Sequence, residues 1–402
     1  MTKEILISVA LIVQIVVFAY MALSTLYFLI FSVAGLFSHH TIESSEKRLN
    51  RFIVLIPGYK EDLVIVDVAA HTLEQDYPKE FYDVAVIADS FQLETIERLK
   101  QLPIKVIEVA FEKSSKSRAL NKAMSLLPDV YDAVIILDAD NLMAKDCLVK
   151  MNEALNCGYE AVQGHRTAKN RNTDFAVLDS VSEEINNQIF RKGHRVLGLS
   201  SALIGSGMAF RYLLFKQYMS NIDSTAEDKE LEIKLINDGK KIEYLDDAFI
   251  YDEKVQKSKV FMVQRTRWLA NQLKYAKRYF FWSFRQLLLK GNIDLFDKII
   301  QQFLPPRIFL LGFLFIVLII SLFFNSLRYT FAWLSLTALC VITLVISTPR
   351  RYYTYSTLKA TLLLPKGFIF MFFSLIRIKK ANKSWGHTKH GVIKETDKTG
   401  TF

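Results

Sequence analysis

The stretch AVIILDAD, residues 133–140, is an apolar run that ends in Asp138 and Asp140. Its apolar residues are continuous rather than alternating, which is typical of a strand covered by helices on both faces. Similar runs occur at 52–56, 84–88 and 104–109, with helix-length segments between them. This order predicts an α/β domain with a doubly wound, mostly parallel sheet. Ligands bind beyond the carboxyl ends of such strands, where the two aspartates stand.

Apolar segments on both sides of this domain predict membrane helices. Residues 5–37 contain no charge, and they are long enough to cross a bilayer core of about 30 Å. The basic residues that follow, among them Arg48 and Arg51, indicate that the next domain is cytoplasmic. Runs at 308–327 and 329–348 predict a transmembrane hairpin. A run at 358–376, interrupted by Pro365, predicts an interfacial or re-entrant segment.

The composition narrows the class of ligand. The chain has a formal net charge of +10 and is 51% hydrophobic, which favours anionic lipids or phosphorylated small molecules. No arginine-rich arm or groove-reading module indicates nucleic acid. Residues 260–289 mix Trp268 and Trp282 with Arg and Lys, as interfacial helices do. We expect an N-terminal anchor (1–45), a cytoplasmic domain (46–258), interfacial helices (259–300), a hairpin with an interfacial segment (301–378) and a polar tail (379–402).

Asp138 and Asp140 are the first candidates for chemistry. Two carboxylates one residue apart at a strand end suit a hard divalent cation, Mg²⁺ or Mn²⁺, shared with a diphosphate. Such a cation would neutralise charge on a nucleoside diphosphate leaving group. The plain alternative is a helix cap or a solvated turn, so the pair alone does not identify a metal site.

Other polar residues follow the first two strands or open a helix. Pro57, Tyr59 and Glu61 follow the first strand and Asp89 the second, where they would stack on and hydrogen-bond a nucleobase. Pro, Gly, Asp and Ser are also ordinary turn residues. Lys116 and Arg118 stand at a predicted helix start, against the macrodipole, which a diphosphate would explain. A solvated basic face is the alternative.

Two later motifs complete the set. Asp228, supported by Glu227, would be the base that activates an acceptor hydroxyl, although an acidic pair often caps a helix. In the interfacial helix Trp268 would be a platform for a sugar ring. Gln264, Arg265 and Arg267 would hold hydroxyls or the diphosphate, although a membrane-surface helix needs no such role.

Together these motifs resemble the family 2 glycosyltransferases, in particular the cellulose, chitin and poly-N-acetylglucosamine synthase-like branch. The resemblance spans about 51–272 and rests on an Asp after the second strand (Asp89), a DxD (Asp138, Asp140), an ED pair (Glu227, Asp228) and QxxRW (Gln264, Arg267, Trp268). It implies a GT-A fold, a UDP-sugar donor, a divalent cation and inversion at the anomeric carbon.

The residue chemistry and the resemblance together assign an expected role to each residue. The metal would bind Asp140 with Asp138, and the base would be Asp228 with Glu227. The acceptor would contact Trp268, Gly205, Ser206 and Gly207. The residues expected to contact the donor are Pro57, Tyr59, Glu61, Asp89, Lys116, Asp138, Gln264, Arg265 and Arg267. Three positions depart from the family pattern, namely Lys60 for Asn, Ala226 for Thr and Arg118 for Gly. They leave the selectivity for base and sugar open.

The predicted function is a transferase of the cytoplasmic membrane that builds a β-linked surface polysaccharide from a UDP-sugar. The membrane part is small for a polymer channel, so a homo-oligomer or an export partner would complete the path. The first alternative is a non-processive enzyme that glycosylates diacylglycerol or a polyprenyl carrier. The alternative from another class is a non-catalytic membrane subunit that binds nucleotide.

Overall fold

The computed structural model describes residues 2–37, 48–254, 258–324 and 327–381. Eight strands, numbered in chain order, form one sheet: β1 (Phe52–Tyr59), β2 (Tyr82–Asp89), β3 (Lys105–Val109), β4 (Ala133–Ile136), β5 (Leu142–Met143), β6 (Ala161–Ala168), β7 (Met208–Arg211) and β8 (Ile242–Asp252).

The helices surround the sheet and extend beyond it. They are α1 (Thr2–Ala34), α2 (Ile65–Thr72), α3 (Leu93–Lys100), α4 (Lys116–Leu126), α5 (Cys147–Asn156), α6 (Asp174–Asn186), α7 (His194–Val196), α8 (Tyr212–Met219), α9 (Glu227–Asn237), α10 (Ser258–Lys290), α11 (Ile293–Ile300), α12 (Arg307–Phe324), α13 (Leu327–Ile346), α14 (Tyr355–Thr361) and α15 (Leu364–Ala381). A π-helical segment, Asn187–Gly193, continues α6, and 3₁₀ turns lie at Lys79–Phe81, Gln301–Phe303 and Arg350–Tyr352.

The predicted α/β sheet is confirmed. The strand order is β3-β2-β1-β4-β7-β6-β8-β5. β1 pairs in parallel with β2 and β4, β2 with β3, and β6 with β8, whereas the pairings of β7 with β4 and β6 and of β5 with β8 are antiparallel. The antiparallel pairings all involve strands that follow the DxD. The four runs on which the prediction rested do not include those strands.

Both faces of the sheet are covered, which explains the continuous apolar runs. Ile53 and Leu55 pack with residues of α4, α8 and α9 on one face, and Phe52 and Val54 pack with residues of α2 and α5 on the other. All four side chains are fully buried. Since successive side chains of a strand point to opposite faces, a two-sided cover demands apolar residues at every position.

Two described helices are long and apolar enough to cross a membrane, at Leu11–Ala34 and Leu327–Ile346. Two bent pairs, Ile293–Phe303 with Arg307–Phe323 and Tyr355–Thr361 with Leu364–Phe373, have bends of 53° and 45° and raise the number to four if each is one span. The break in the last pair precedes Pro365. Proline therefore lies in the first turn of α15, where its missing N–H costs no helical hydrogen bond.

Helix α1 packs into the body of the protein as well as providing an apolar span. Tyr27 Oη donates to Asp297 Oδ1 at 2.7 Å, and the hydroxyls of Ser32 and Ser347 lie 2.6 Å apart. A Cβ at Gly193 would collide with the backbone carbonyl of Phe31. Glycine therefore allows α1 to approach the π-helical segment, and α1 becomes part of the same packed unit as the sheet.

Candidate active site

One cavity of about 2020 Å³ opens at the carboxyl ends of β1, β2 and β4. The parallel register places Tyr59 opposite Asp89, and Leu137, which donates to Leu55 O at 3.0 Å, delivers Asp138 beside them. Of the residues predicted for the site, the cavity is lined by Pro57, Tyr59, Glu61, Asp89, Lys116, Asp138, Asp140, Gly205, Glu227, Asp228, Arg267 and Trp268. Residues from seven separate segments thus meet in one place.

Four predicted residues need separate mention. The side chains of Gln264 and Arg265 lie outside the described residues, so the structure adds nothing about their predicted role. Ser206 and Gly207 lie behind Gly205, and Ser206 is fully buried. Its Oγ accepts from Asp138 N at 3.0 Å, while Gly207 N donates to Ile136 O at 2.8 Å. These two residues hold the loop against the end of β4, and Gly205 alone of the three faces the cavity.

Lys116 is the charged centre of the site. It lies beside Asp138, its Nζ donates to Gly205 O at 2.7 Å, and it stands 3.8 Å from Glu227 Oε1. Burial opposes the charge of Lys116, but Asp138 and then Glu227 raise its pKa, so it stays cationic. The residue predicted to meet a diphosphate therefore also links the DxD to the ED pair.

Glu227 and Asp228 form the first turn of α9. Ala226 is the N-cap residue and makes no side-chain cap hydrogen bond, so in the structure neither carboxylate is the cap. Lys229 N donates to Asp228 Oδ1 at 2.8 Å, which orients this carboxylate. Burial raises the pKa of both carboxyls. A carboxylate that resists ionisation in a cavity is a better proton acceptor, as a general base requires.

Arg118 positions the loop in front of this pair. Its Nε and Nη2 donate to the two carboxylate oxygens of Asp223, both at 2.8 Å. Asp223 belongs to the loop that leads to Ala226 and Glu227. Arg118, which replaces the Gly of the family pattern, therefore connects the start of α4 to the loop before α9, at the surface of the protein.

Asp138 and Asp140 suit a divalent cation whose other ligands come from a bound diphosphate. Both carboxylates line the cavity, and Asp140 is 8% exposed. Within the described ranges no cluster of three or more His, Cys, Asp and Glu side chains is arranged to hold a metal. A site of two protein carboxylates matches the preference of Mg²⁺ for few protein ligands plus phosphate oxygens.

Lys60 has a strained backbone at the rim of the site. Its φ is 56°, a left-handed conformation, and its N–H donates to Asp89 O at 3.1 Å. This conformation costs most L-residues about 1–2 kcal/mol, and Asn tolerates it better. The departure from the family's Asn therefore has a conformational cost where β1 leaves the sheet.

We expect Lys60→Asn to raise the free energy of unfolding by about 0.5–1 kcal/mol, because Asn relieves part of this strain. Denaturant titration of the detergent-solubilised protein measures it. Lys113→Asn is the control, since Lys113 is exposed in a loop and is not among the described residues with positive φ. Equal effects of the two substitutions would contradict the assignment of strain to Lys60.

The cavity also contains a buried ionic network that was not predicted from the sequence. Glu183 of α6 accepts from Arg166 Nη2 at 3.0 Å and from Arg191 Nη1 at 3.2 Å, and Lys254 Nζ lies 3.9 Å away. Lys254 also pairs with Asp252 at 2.7 Å. These residues line the cavity. No local motif marks them, because their partners come from β6, β8 and the π-helical segment.

Comparison with known proteins bears on the same region. A family model described as "Glycosyltransferase like family 2" matches residues 50–271, more than half of the chain. The chain is 27% identical over 274 residues to the probable glycosyltransferase YdaM of Bacillus subtilis (strain 168), covering 64% of each. It is 25% identical over 250 residues to the beta-monoglucosyldiacylglycerol synthase of Trichormus variabilis (strain ATCC 29413 / PCC 7937), covering 60% of this chain and 52% of that protein.

Among solved structures, the mannosyltransferase PcManGT from Pyrobaculum calidifontis, in complex with GDP-Man and Mn²⁺, has a similar fold. The TM-score is 0.53 at 14% identity, and the match covers 92% of this chain and 98% of that chain. The predicted GT-A type of fold is confirmed. The chain spans less than two thirds of the length of the two curated relatives that it matches.

Proposed function

We propose that this chain, which belongs to the family 2 glycosyltransferases, transfers one sugar from a UDP-sugar to a lipid hydroxyl, with inversion at the anomeric carbon. The observation that carries the proposal is the continuity of the cavity. It reaches from Asp138 and Asp228 to the apolar faces of α12, α13 and α15 without a wall between them. An acceptor whose hydroxyl meets Asp228 would therefore have its apolar part among the membrane helices.

The donor would bind at the carboxyl ends of β1, β2 and β4. Tyr59 and Asp89 are register neighbours there and both line the cavity, and an aromatic ring with a carboxylate suits the stacking and hydrogen bonding of a nucleobase. Lys116 provides positive charge beside Asp138. Asp138 and Asp140 would hold Mg²⁺ or Mn²⁺, which when bound stabilises the charge that develops on the diphosphate.

The transfer step needs a base for the acceptor hydroxyl and access to the anomeric carbon on the side opposite the diphosphate. Asp228 takes the proton of the acceptor hydroxyl, and the oxygen forms a bond to the anomeric carbon. The bond from that carbon to the diphosphate oxygen breaks, and the nucleoside diphosphate leaves with the electron pair. Attack opposite to the leaving group inverts the configuration, so an α-linked donor would give a β-linked product.

The base also favours a hydroxyl over a lipid phosphate as the nucleophile. A phosphate is already ionised at neutral pH, so it needs no proton acceptor. Burial raises the pKa of Asp228 and Glu227, which suits a group that must accept a proton. Among the predicted lipid acceptors, diacylglycerol therefore fits the site better than a polyprenyl phosphate.

Synthesis of a β-linked surface polysaccharide is the second candidate. It is favoured by Trp268, which lines the cavity and is 43% exposed, as a stacking platform for a sugar chain would be. A growing chain needs an exit, which an oligomer or an export partner would have to complete. In both cases we place the catalytic domain on the cytoplasmic face, because basic residues follow the first span and Arg350 and Arg351 follow α13.

Turnover of a panel of UDP- and GDP-sugars, by purified protein in vesicles that contain diacylglycerol, tests the proposal. We expect a UDP-sugar and Mg²⁺ or Mn²⁺ to give a lipid with a single sugar. Excess chelator should abolish this product and should also remove the rise in thermal stability that UDP with Mn²⁺ confers. A ladder of products would establish the polysaccharide candidate instead. Nucleotide binding without turnover of any donor would indicate a non-catalytic subunit.

A further inference from the structure

The membrane end of the cavity is a chamber walled by apolar helix faces. Leu178 of α6, Leu311 of α12, Leu344 of α13 and Met371 of α15 all line it. Neutral polar side chains, including Asn186 and Gln301, also line the cavity. One cavity thus joins apolar helix faces to polar side chains and to the catalytic carboxylates. A lipid likewise joins apolar chains to a polar head group.

One side of the chamber is a stripe on α13. Val341, Leu344 and Val345 line the cavity at helical spacings of three and four residues, so they share one face, and Thr348 lines it just after the helix ends. Val341 is 37% exposed and Val345 51% exposed. Leu358 of α14 also lines the cavity and is 67% exposed. These exposed lining residues of α13 and α14 mark one mouth of the cavity, between the two helices.

The packing of the helices is consistent with this opening. α13 packs against α1 and α12, α15 packs against α10 and α12, and α14 packs against α6. α13 is a candidate membrane span, Leu327–Ile346, so a bilayer around it would meet the exposed side chains of Val341 and Val345. A mouth with apolar rims beside such a span would open to lipid chains rather than to water.

We infer that the chamber between α6, α12, α13 and α15 is the binding site for the hydrocarbon chains of the acceptor lipid, which enters from the bilayer between α13 and α14. The inference rests on the proposed transfer to a lipid hydroxyl. It adds that the chains lie inside the protein while the hydroxyl reaches Asp228. The chamber therefore limits the size of the acceptor's chains.

Tryptophan at the mouth tests this inference. Val345→Trp places a large side chain at the rim, and Leu358→Trp does the same from the other side. We expect each variant to lower transfer to a long-chain diacylglycerol, relative to a short-chain one, by about tenfold or more, because overpacking a fitted apolar site is costly. Ile342→Trp is the matched control, since Ile342 lies on the same helix with the same 51% exposure but does not line the cavity.

The readout is the ratio of the two glycolipid products, with UDP binding as a check that each variant is folded. Unchanged ratios in both Val345→Trp and Leu358→Trp, with lipid still glycosylated, would overturn the inference and leave the proposed function standing. An equal loss in Ile342→Trp would also overturn it. Wild-type protein that glycosylates neither diacylglycerol would instead overturn the proposed function itself.

Discussion

Asp228→Asn should lower the rate of sugar transfer by about 10²–10⁴-fold, the usual contribution of a positioned general base. Asn has the shape of Asp and keeps an oxygen that accepts from Lys229 N, so the first turn of α9 should be preserved. What the variant loses is the ability to take a proton. Steady-state kinetics with saturating donor, together with UDP affinity by calorimetry, would show a fall in kcat with little change in donor binding.

Glu230→Gln is the control for this variant. Glu230 lies on the same helix and pairs with Lys234 at 3.8 Å, but it does not line the cavity. Its substitution should leave turnover unchanged. If Asp228→Asn kept more than about a tenth of wild-type turnover, another group would have to be the base. Glu227, which stands next to Lys116, would then be the next carboxylate to replace.

Glu183→Gln should lower the free energy of unfolding by about 3–5 kcal/mol, the usual cost of removing one partner from a buried ionic pair. Arg166, Arg191 and Lys254 all lie within 4 Å of this carboxylate, and its side chain is 8% exposed. Without its charge, three cationic side chains that line the cavity lose their shared counter-ion. Denaturant titration in detergent measures the loss.

An exposed ion pair supplies the control. Glu160 pairs with Lys240 at 2.6 Å, and both side chains are about a third exposed, so Glu160→Gln should cost no more than about 1 kcal/mol. Similar costs for the two variants would contradict the structural role of the Glu183 network.

The pH dependence of stability gives a second measurement. Burial opposes the charge of Glu183, but Arg166, Lys254 and Arg191 outweigh it and hold the pKa well below its usual range. The contribution of this group is therefore present above the unfolded-state pKa of about 4.3 and is lost as the pH falls towards the folded-state pKa. The stability of Glu183→Gln should fall less steeply in acid than that of the wild type.

The first four strands and most of the candidate site have local signals in the chain, so they were open to prediction. The apolar runs before Tyr59, Asp89 and Asp138 identify strands because a strand covered on both faces must be apolar at every position. Since parallel strands end at the same edge, the residues that follow them had to meet. Asp228 was recognisable because an acidic pair followed by an apolar helix, in this order after a DxD, is the family's pattern.

The membrane end of the cavity and the ionic network could not be predicted in this way, because they are made by contacts between segments far apart in the sequence. Glu183 and Arg166 are ordinary polar residues in their own segments, and only the packing of α6 on β6 makes them partners. Val345 is one apolar residue among many in a membrane span. Its place at the mouth of the cavity depends on how α13 turns its face towards α14. Strands, candidate membrane helices and the acidic motifs have local signals, so the sequence was enough to predict them. The shape of the cavity and the burial of the Glu183 network depend on contacts between distant segments, which only the folded chain provides.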